Sequence, residues 1–79
     1  MKIRKREYGD LNLIGKKVEK LRKDRGISQK DFIAKLQISG TDINPTSYSK
    51  LEGQIRIATD KEVLAIAKVL GVSTDDLFV

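Results

Sequence analysis

The chain has 79 residues and a formal net charge of +5, and it contains neither histidine nor cysteine. A chain of this length forms one domain with a small core. Without histidine and cysteine it lacks the usual proton-transfer group near neutral pH, the commonest metal ligands and any disulfide. We therefore expect no enzyme, no catalytic residue, no metal and no cofactor.

The hydrophobic residues do not predict a membrane protein. The longest apolar run, Val63 to Ala67, is far below the length of a membrane span. The basic start of the chain is not followed by the apolar stretch of a signal peptide. We expect a cytoplasmic protein that has no membrane contact.

Positive charge is concentrated at the start of the chain. Residues 1–30 carry eleven Lys and Arg against four Asp and Glu, or +7, whereas residues 31–79 carry five against seven, or −2. Such an imbalance attracts polyanions, nucleic acids among them, although a lysine-rich helix face is also common on ordinary solvated surfaces. We predict a basic arm over residues 1–11, which either follows DNA or only aids solubility, and one domain over residues 12–79.

Two helices are predicted in the first half of the domain. Asp10 or Asn12 caps the first, over residues 12–25, and Gly26 ends it. Ser28 caps the second, with Asp31 three residues on as an imperfect capping box. Apolar residues at helical spacing give each helix one buried face; they are Ile14, Val18 and Leu21 in the first, and Phe32, Ile33 and Leu36 in the second.

The third helix has the clearest start. Asn44 is a favoured N-cap, and Pro45 suits the first helical position because its missing N–H costs nothing there. Tyr48, Leu51 and Glu52 share one side of this helix, and its other side is short and polar. Gly53 is predicted to end it.

Two further helices complete an all-α prediction. Thr59 and Glu62 form a capping box for a fourth helix that ends at Gly71. A last short helix carries Leu77 and Phe78. No segment alternates in the manner of a strand, so we predict a compact five-helix domain.

This order of elements resembles the lambda-repressor-like helix-turn-helix domain of phage repressors, Cro proteins and XRE-type bacterial regulators. The resemblance covers Ile14 to Phe78 and depends on an ordered set of short segments. They are the run Ile14 to Arg22, Gly26-Ile27-Ser28-Gln29, the run Ser47 to Glu52, the run Leu64 to Ser73, and Asp76-Leu77-Phe78.

The resemblance implies binding to double-stranded DNA. Gln29 would bond a phosphate, with Ser28 and its helix N-terminus beside it. The start of the third helix would then meet base edges in the major groove, with Lys50 donating to guanine and the Thr46 methyl group facing thymine. The residues placed at the DNA in this way are Ser28, Gln29, Pro45, Thr46, Ser47, Ser49, Lys50, Gln54 and Arg56.

Each of these assignments has a structural alternative. Ser28 is also an ordinary helix cap, and Thr46, Ser49 and Lys50 also fit a solvated helix face. Glu52 needs a partner because it lies on a buried side. The resemblance implies a salt bridge to Arg22 of the first helix, and Arg25 is the runner-up by helical angle.

The chain departs from the family pattern between the second and third helices. The usual short turn is replaced by the longer segment Gln37 to Ile43, and Ile33 stands where the family generally has alanine. An extended turn of this kind changes how the two helices approach each other.

The function predicted from the sequence is that of a sequence-specific transcriptional regulator that acts as a repressor. Members of this family usually pair on two half-sites, and the proposed homodimer surface is the C-terminal end, with Val72, Leu77, Phe78 and Val79. The alternative for Phe78 is that it only closes the core. The alternative function is an antitoxin-like or other partner-binding helical protein whose DNA binding is autoregulatory.

Overall fold

The computed structural model describes residues 8–78 and shows an all-α fold. Its helices are α1 (Gly15–Asp24), α2 (Gln29–Ile38), α3 (Pro45–Glu52) and α4 (Asp60–Leu70), and a 3₁₀ turn (Thr74–Phe78) follows them. None of the residues from 8 to 78 is in a strand. The predicted all-α class is thus confirmed. Residues 1–7 of the proposed arm, and Val79 of the proposed pairing surface, lie outside the described residues.

The last predicted helix is corrected to a 3₁₀ turn. The amide of Asp76 donates to the Ser73 carbonyl at 3.1 Å, a bond that spans three residues rather than four. The side chains of the same two residues reinforce this tight turn, since the Ser73 amide donates to Asp76 Oδ2 at 3.1 Å. Its five residues, Thr74–Phe78, suit 3₁₀ geometry, which is used in short pieces.

The predicted N-caps of α2, α3 and α4 are confirmed. Ser28 Oγ accepts from the Asp31 amide, and Asn44 Oδ1 accepts from the Ser47 amide ahead of Pro45 at the first helical position. Thr59 and Glu62 make both bonds of a capping box. These bonds satisfy amides that have no partner inside the helix, so the sequence determines these three helix starts locally.

The start of α1 differs from the prediction. The helix begins at Gly15 rather than at residue 12, and no side chain of its N-cap residue Ile14 bonds to it. Asn12 Oδ1 instead accepts from the amides of both Ile14 and Gly15, at 3.1 and 2.8 Å. Asn12 therefore caps the helix from outside, and the chain turns once more before α1 begins.

α3 ends at Gly53 as predicted, but its left-handed residue is not this glycine. Gly53 keeps a helical φ of −78°, and the left-handed position falls on Gln54, with φ +61°. The Ile55 amide bonds to the Lys50 carbonyl and the Gln54 amide to the Leu51 carbonyl, both at 3.0 Å. These are the two bonds of a Schellman motif, which normally has glycine at its left-handed residue. Gly26 and Gly71 hold that position at the ends of α1 and α4, as predicted, with φ +67° and +73°.

The longer turn between α2 and α3 is closely held. Gly40 is left-handed, with φ +97°, and the Thr41 amide donates to the Leu36 carbonyl at 3.0 Å. Ile43 is buried, as predicted, and the Gln37 amide group donates to its carbonyl at 3.0 Å. The extra residues therefore fold back on α2 and leave the start of α3 uncovered.

One core joins all of the elements. Its buried apolar residues are Ile14, Val18, Phe32, Ile33, Leu36, Ile43, Tyr48, Leu51, Ile66, Ala67, Leu70 and Leu77. The rings of Phe32 and Tyr48 lie 5.5 Å apart and tilted, which joins α2 to α3. Leu77 is 0% exposed. It belongs to this core, so its place in the predicted pairing surface is wrong.

α1 and the end of α3 are in backbone contact. A Cβ atom on Gly15 would lie 2.2 Å from the Leu51 carbonyl oxygen, closer than any real packing allows. The segment before α1 follows the same edge, since the Gly9 and Leu11 amides donate to the carbonyls of Gly53 and Gln54 at 2.9 Å. Residues 9 and 11, which the sequence assigned to the arm, are therefore bonded to the domain.

Candidate nucleic-acid interface

The exposed side of α3 is formed by the residues at its start. Asn44, Pro45 and Thr46 are exposed, and so is Lys50 one turn further on. Ser47 and Ser49 are half-buried beside them. Because Asn44 satisfies only the Ser47 amide, the start of the helix presents a positive helix-dipole end to the solvent. The exposed side of α3 adds hydroxyls and the ammonium group of Lys50, which lies in the last turn.

The start of α2 lies next to this end of α3. Gln29, Lys30, Ala34 and Pro45 are among the residues that line a shared cleft between the two helices. Lys30 is exposed at the second position of α2. No role was predicted for Lys30 from the sequence, although it directly follows Gln29, for which a phosphate contact was predicted.

Gln29 is held by the fold. Its side-chain nitrogen Nε2 donates to Glu52 Oε1 at 3.0 Å, and the residue is half-buried. An amide nitrogen has two hydrogens, so one of them remains for a group outside the protein. The sequence did not reveal the bond to Glu52, which joins residues 23 positions apart.

Glu52 is at the centre of a buried polar cluster. Its carboxylate is 0% exposed and accepts from Arg22 Nε at 2.7 Å and Nη2 at 3.3 Å, from Gln29, and from the Tyr48 hydroxyl. The third nitrogen of Arg22, Nη1, donates to the Ile27 carbonyl at 2.6 Å. The structure thus contains the Arg22–Glu52 pair, whereas Arg25 is exposed and bonds to the Leu21 carbonyl. One cluster connects α1, the start of α2, and α3.

The cluster also shifts the pKa values of its members. Burial alone would lower the pKa of Arg22, but its hydrogen bond to Glu52 and the charge of that carboxylate outweigh burial, so the pKa is raised. Burial, followed by the hydrogen bond to Glu52, raises the pKa of Tyr48 well above its ordinary value. Arg22 therefore stays charged and Tyr48 stays neutral.

Gln54 and Arg56 follow α3 and are bonded within the fold. Gln54 Nε2 donates to the Asn12 carbonyl at 2.9 Å. Arg56 makes two bonds to the Glu62 carboxylate, at 2.9 and 2.5 Å, and a third to the Ile57 carbonyl at 2.6 Å. The hydrogen bond to Glu62 raises the pKa of Arg56, and the same bond lowers the pKa of Glu62. Both side chains fix the loop over residues 53–59.

Asn12 joins the segment before α1 to the end of α3, and little in the sequence indicated this role. Its Nδ2 donates to the carbonyls of Leu51 and Arg56, at 2.9 and 2.8 Å, in addition to the two amides that its oxygen accepts from. It was identified only as a possible cap. Its bonds to residues 39 and 44 positions away leave no local trace in the sequence.

The uncovered start of α3, beside the start of α2 on a small helical core, defines a helix-turn-helix protein. The sequence profile of a helix-turn-helix family matches residues 18–77, most of the chain. The chain belongs to this family, which is of the XRE or lambda-repressor-like type and consists of DNA-binding regulatory domains. No curated protein and no solved structure shows significant similarity to it. Within residues 8–78, no helix has the length and apolar character to span a bilayer.

Proposed function

We propose that this protein is a transcriptional repressor that reads a specific DNA sequence with the start of α3 in the major groove. The observation that supports this is the exposure of Pro45, Thr46 and Lys50 beside the start of α2. The lengthened turn between α2 and α3 folds onto α2 instead of covering this end. The protein would act in the cytoplasm, on DNA, as a homodimer.

The start of α2 would bind the DNA backbone. The second N–H of Gln29, the exposed Lys30 and the N-terminus that Ser28 caps all suit a phosphate oxygen. Because Glu52 holds the Gln29 side chain in place, little conformational entropy is lost when the phosphate binds. These contacts fix the register of the protein without reading bases.

The start of α3 would read the base edges. Lys50 is long, exposed and able to donate to the O6 and N7 acceptors of guanine, and the Thr46 methyl group suits a thymine methyl. Ser47 and Ser49 lie beside them at the edge of the surface. Pro45 contributes shape alone, since it has no N–H to donate. Gln54 and Arg56 would take part through the loop that they hold in shape.

A selection of bound sequences from random duplex DNA at two salt concentrations tests this proposal. We expect one enriched motif. Lys50→Ala should lose the base preference at a single position of that motif, at a cost of about 1–3 kcal/mol in the free energy of binding. Gln29→Ala should weaken binding to all sequences equally. The matched control is Lys68→Ala, which removes an exposed lysine from α4 and should leave the motif unchanged.

The selection and a reporter assay each have an outcome that contradicts the proposal. If no motif is enriched, or if Lys68→Ala changes the motif as much as Lys50→Ala, then α3 does not read DNA. The repressor role is tested with a promoter that overlaps the enriched motif. Expression of the protein should lower transcription from it, whereas increased transcription would indicate an activator.

A further inference from the structure

Four lysine side chains of α1 line one groove on the surface. They are Lys16, Lys17, Lys20 and Lys23, and α1 rises about 10 Å between the first and the last of them. The groove has a volume of about 560 Å³, within the range of roughly 300–1,000 Å³ that small-molecule sites occupy. Among the described residues, none from the start of α2 or the start of α3 belongs to its lining. The groove is therefore separate from the surface proposed for base reading.

The positive charges of this groove exceed the negative charges near them. Two of the lysines have carboxylate partners in α1, in the pairs Lys20–Asp24 at 2.8 Å and Lys23–Glu19 at 3.6 Å. Within residues 8–78, neither Lys16 nor Lys17 forms an ion pair. Two ammonium groups that share a groove without counter-ions repel each other, and an anion with several charges relieves that repulsion.

The segment before α1 adds apolar side chains to the same groove. Leu13 is 78% exposed, and the ring of Tyr8 lies with its centroid 5.2 Å from Lys16 Nζ. The Tyr8 hydroxyl donates to the buried carboxylate of Glu19, which holds the ring in position. The lining thus combines a row of ammonium groups with an aliphatic side chain and a fixed aromatic ring.

We propose that the groove binds a nucleoside polyphosphate, whose phosphate chain lies along the lysines and whose base packs on Leu13 and Tyr8. Each ammonium group has three N–H donors, and bonds from lysine to phosphate oxygens are charge-assisted and therefore strong. Lys16, Lys20 and Lys23 recur at spacings of four and three, so one side of α1 presents them in succession to a chain of phosphates. The base would remove the exposed Leu13 side chain from water.

The apolar part of the lining favours this ligand over the backbone of a duplex. A DNA backbone offers phosphate and sugar to the lysines but nothing apolar to Leu13 and the Tyr8 ring. A nucleotide offers both an anionic end and a flat aromatic base. The inference goes beyond the proposed function and does not depend on it, because the groove does not include the start of α3.

Titration of the full chain with ATP and, separately, GTP tests the inference without DNA. Amide NMR spectra at constant ionic strength should show saturable shifts at residues 13–24 for at least one of the two nucleotides. Lys16→Gln with Lys17→Gln removes charge-assisted bonds and should weaken binding about tenfold or more. The matched control is Lys61→Gln with Lys68→Gln, two lysines of α4 that line a different groove. Both double variants lower the net charge from +5 to +3, but the control should weaken binding less than about twofold because salt screens distant charges.

Inorganic triphosphate separates the contribution of the phosphate chain from that of the base. It should bind at the same lysines more weakly than the nucleotide does. Leu13→Ser should weaken nucleotide binding and leave triphosphate binding unchanged, because only the base packs on this side chain. Equal affinity for the two ligands would overturn the assignment of a nucleoside, since the apolar lining would then contribute nothing.

Circular dichroism and thermal melting show whether each variant folds, and Lys17→Gln alone replaces a groove double variant that does not. The inference is overturned if neither nucleotide binds, if the shifts centre on the start of α2, or if both double variants weaken binding equally. A groove variant that binds no less nucleotide, yet lowers the slope of log K against log salt concentration for a duplex by about 2, would assign the lysines to DNA instead. Nucleotide binding as expected, with no DNA motif enriched, would contradict only the proposed function.

Discussion

The carboxylate of Glu52 decides how firmly three helices are held together. Glu52→Ala leaves the Arg22 guanidinium buried without its counter-ion and removes the acceptor of Tyr48 and Gln29. Breaking a buried pair from one side costs about 3–5 kcal/mol, a large share of the stability of a small domain. We expect a loss of that size in the free energy of unfolding measured in urea.

Two further variants separate the ion pair from simple packing. Lys20→Ala removes an exposed pair with Asp24 and should change stability by less than about 1 kcal/mol. Replacing both partners, as Arg22→Met with Glu52→Leu, leaves no uncompensated charge, so it should cost less than the two single changes together. A Glu52→Ala protein with an unchanged melting temperature and weakened DNA binding would show that this carboxylate acts at the DNA and not in the fold.

At the scale of single residues, the sequence was informative where a residue type has one common use. Tyr48 and Leu51 were expected in the core and are fully buried. The pairing of Arg22 with Glu52 was suggested by resemblance to a known family, since helical angle left Arg25 as an alternative. The bonds from Gln29 to Glu52 and from Asn12 to Leu51 depend on how α1, α2 and α3 pack. No spacing within one helix could predict them.

At the scale of elements, the end of α3 stores strain in Gln54, the one residue other than glycine within residues 8–78 that has a positive φ. Gln54→Gly and Gln54→Ala both lose the bond to the Asn12 carbonyl, but only alanine keeps a Cβ atom in the left-handed region. The left-handed penalty is roughly 1–2 kcal/mol, and the greater flexibility of unfolded glycine offsets about half of that. We expect the glycine variant to be more stable than the alanine variant by about 1 kcal/mol in urea unfolding.

The equivalent position at the end of α4 provides the comparison for this prediction. Gly71 has φ +73°, and a Cβ atom there would meet no other atom within 4 Å. Gly71→Ala therefore tests the backbone penalty alone and should cost about 1 kcal/mol. If the glycine and alanine variants at residue 54 were equally stable while Gly71→Ala is destabilised, the φ of Gln54 would carry no penalty.

The start of α4 should make stability depend on pH. The hydrogen bond from Arg56 lowers the pKa of Glu62 below its ordinary value of 4.5. A lowered pKa in the folded state means that the stabilisation is present above the unfolded pKa and is lost as pH falls through the folded pKa. We expect Glu62→Gln to be less stable than the unsubstituted protein at pH 7, with the difference shrinking below about pH 4.5. Urea unfolding at a series of pH values measures this.

The control for this pH dependence is the variant of the other partner. Arg56→Gln should reproduce most of the loss at pH 7, and the double variant should lose little more than either single one, because both act on one pair. A constant difference between Glu62→Gln and the unsubstituted protein from pH 7 to acid would mean that the ionisation of Glu62 does not contribute to stability.

The elements show which helix ends can be predicted from sequence. Ser28, Asn44 and Thr59 cap amides that are three residues away, so their signals lie within four consecutive residues and were read correctly. The start of α1 was misplaced, and the left-handed residue after α3 is Gln54 rather than glycine, because these two ends pack on each other. Gly15 packs on the Leu51 carbonyl, and the segment before α1 bonds to Gly53 and Gln54.

At the scale of the whole molecule, the longer turn between α2 and α3 was expected to alter the fold. It is accommodated by a bond from Thr41 back to Leu36 and by burial of Ile43. The sequence predicted the turn, the buried Ile43 and an exposed Pro45, but not the path by which the added residues avoid Pro45. That path depends on where the loop lies relative to α2, and it leaves the start of α3 accessible to solvent.

The uneven charge of the chain leads to a prediction about DNA affinity. It distinguishes the contribution of residues 1–7 from that of Thr46 and Lys50 in α3. These residues contain four Lys and Arg and one Glu, so their deletion lowers the net charge from +5 to +2. Each lysine or arginine that contacts a phosphate contributes about 0.9 to the slope of log K against log salt concentration. We expect the deletion to reduce this slope by roughly 1–4, measured by fluorescence anisotropy with a labelled duplex, and to weaken binding to all sequences.

The enriched motif should not change, because Lys50 and Thr46 remain. Lys68→Ala, which removes one distant charge, controls for net charge alone, and an equal slope in the full and the shortened chain would mean that residues 1–7 make no contact with the DNA backbone.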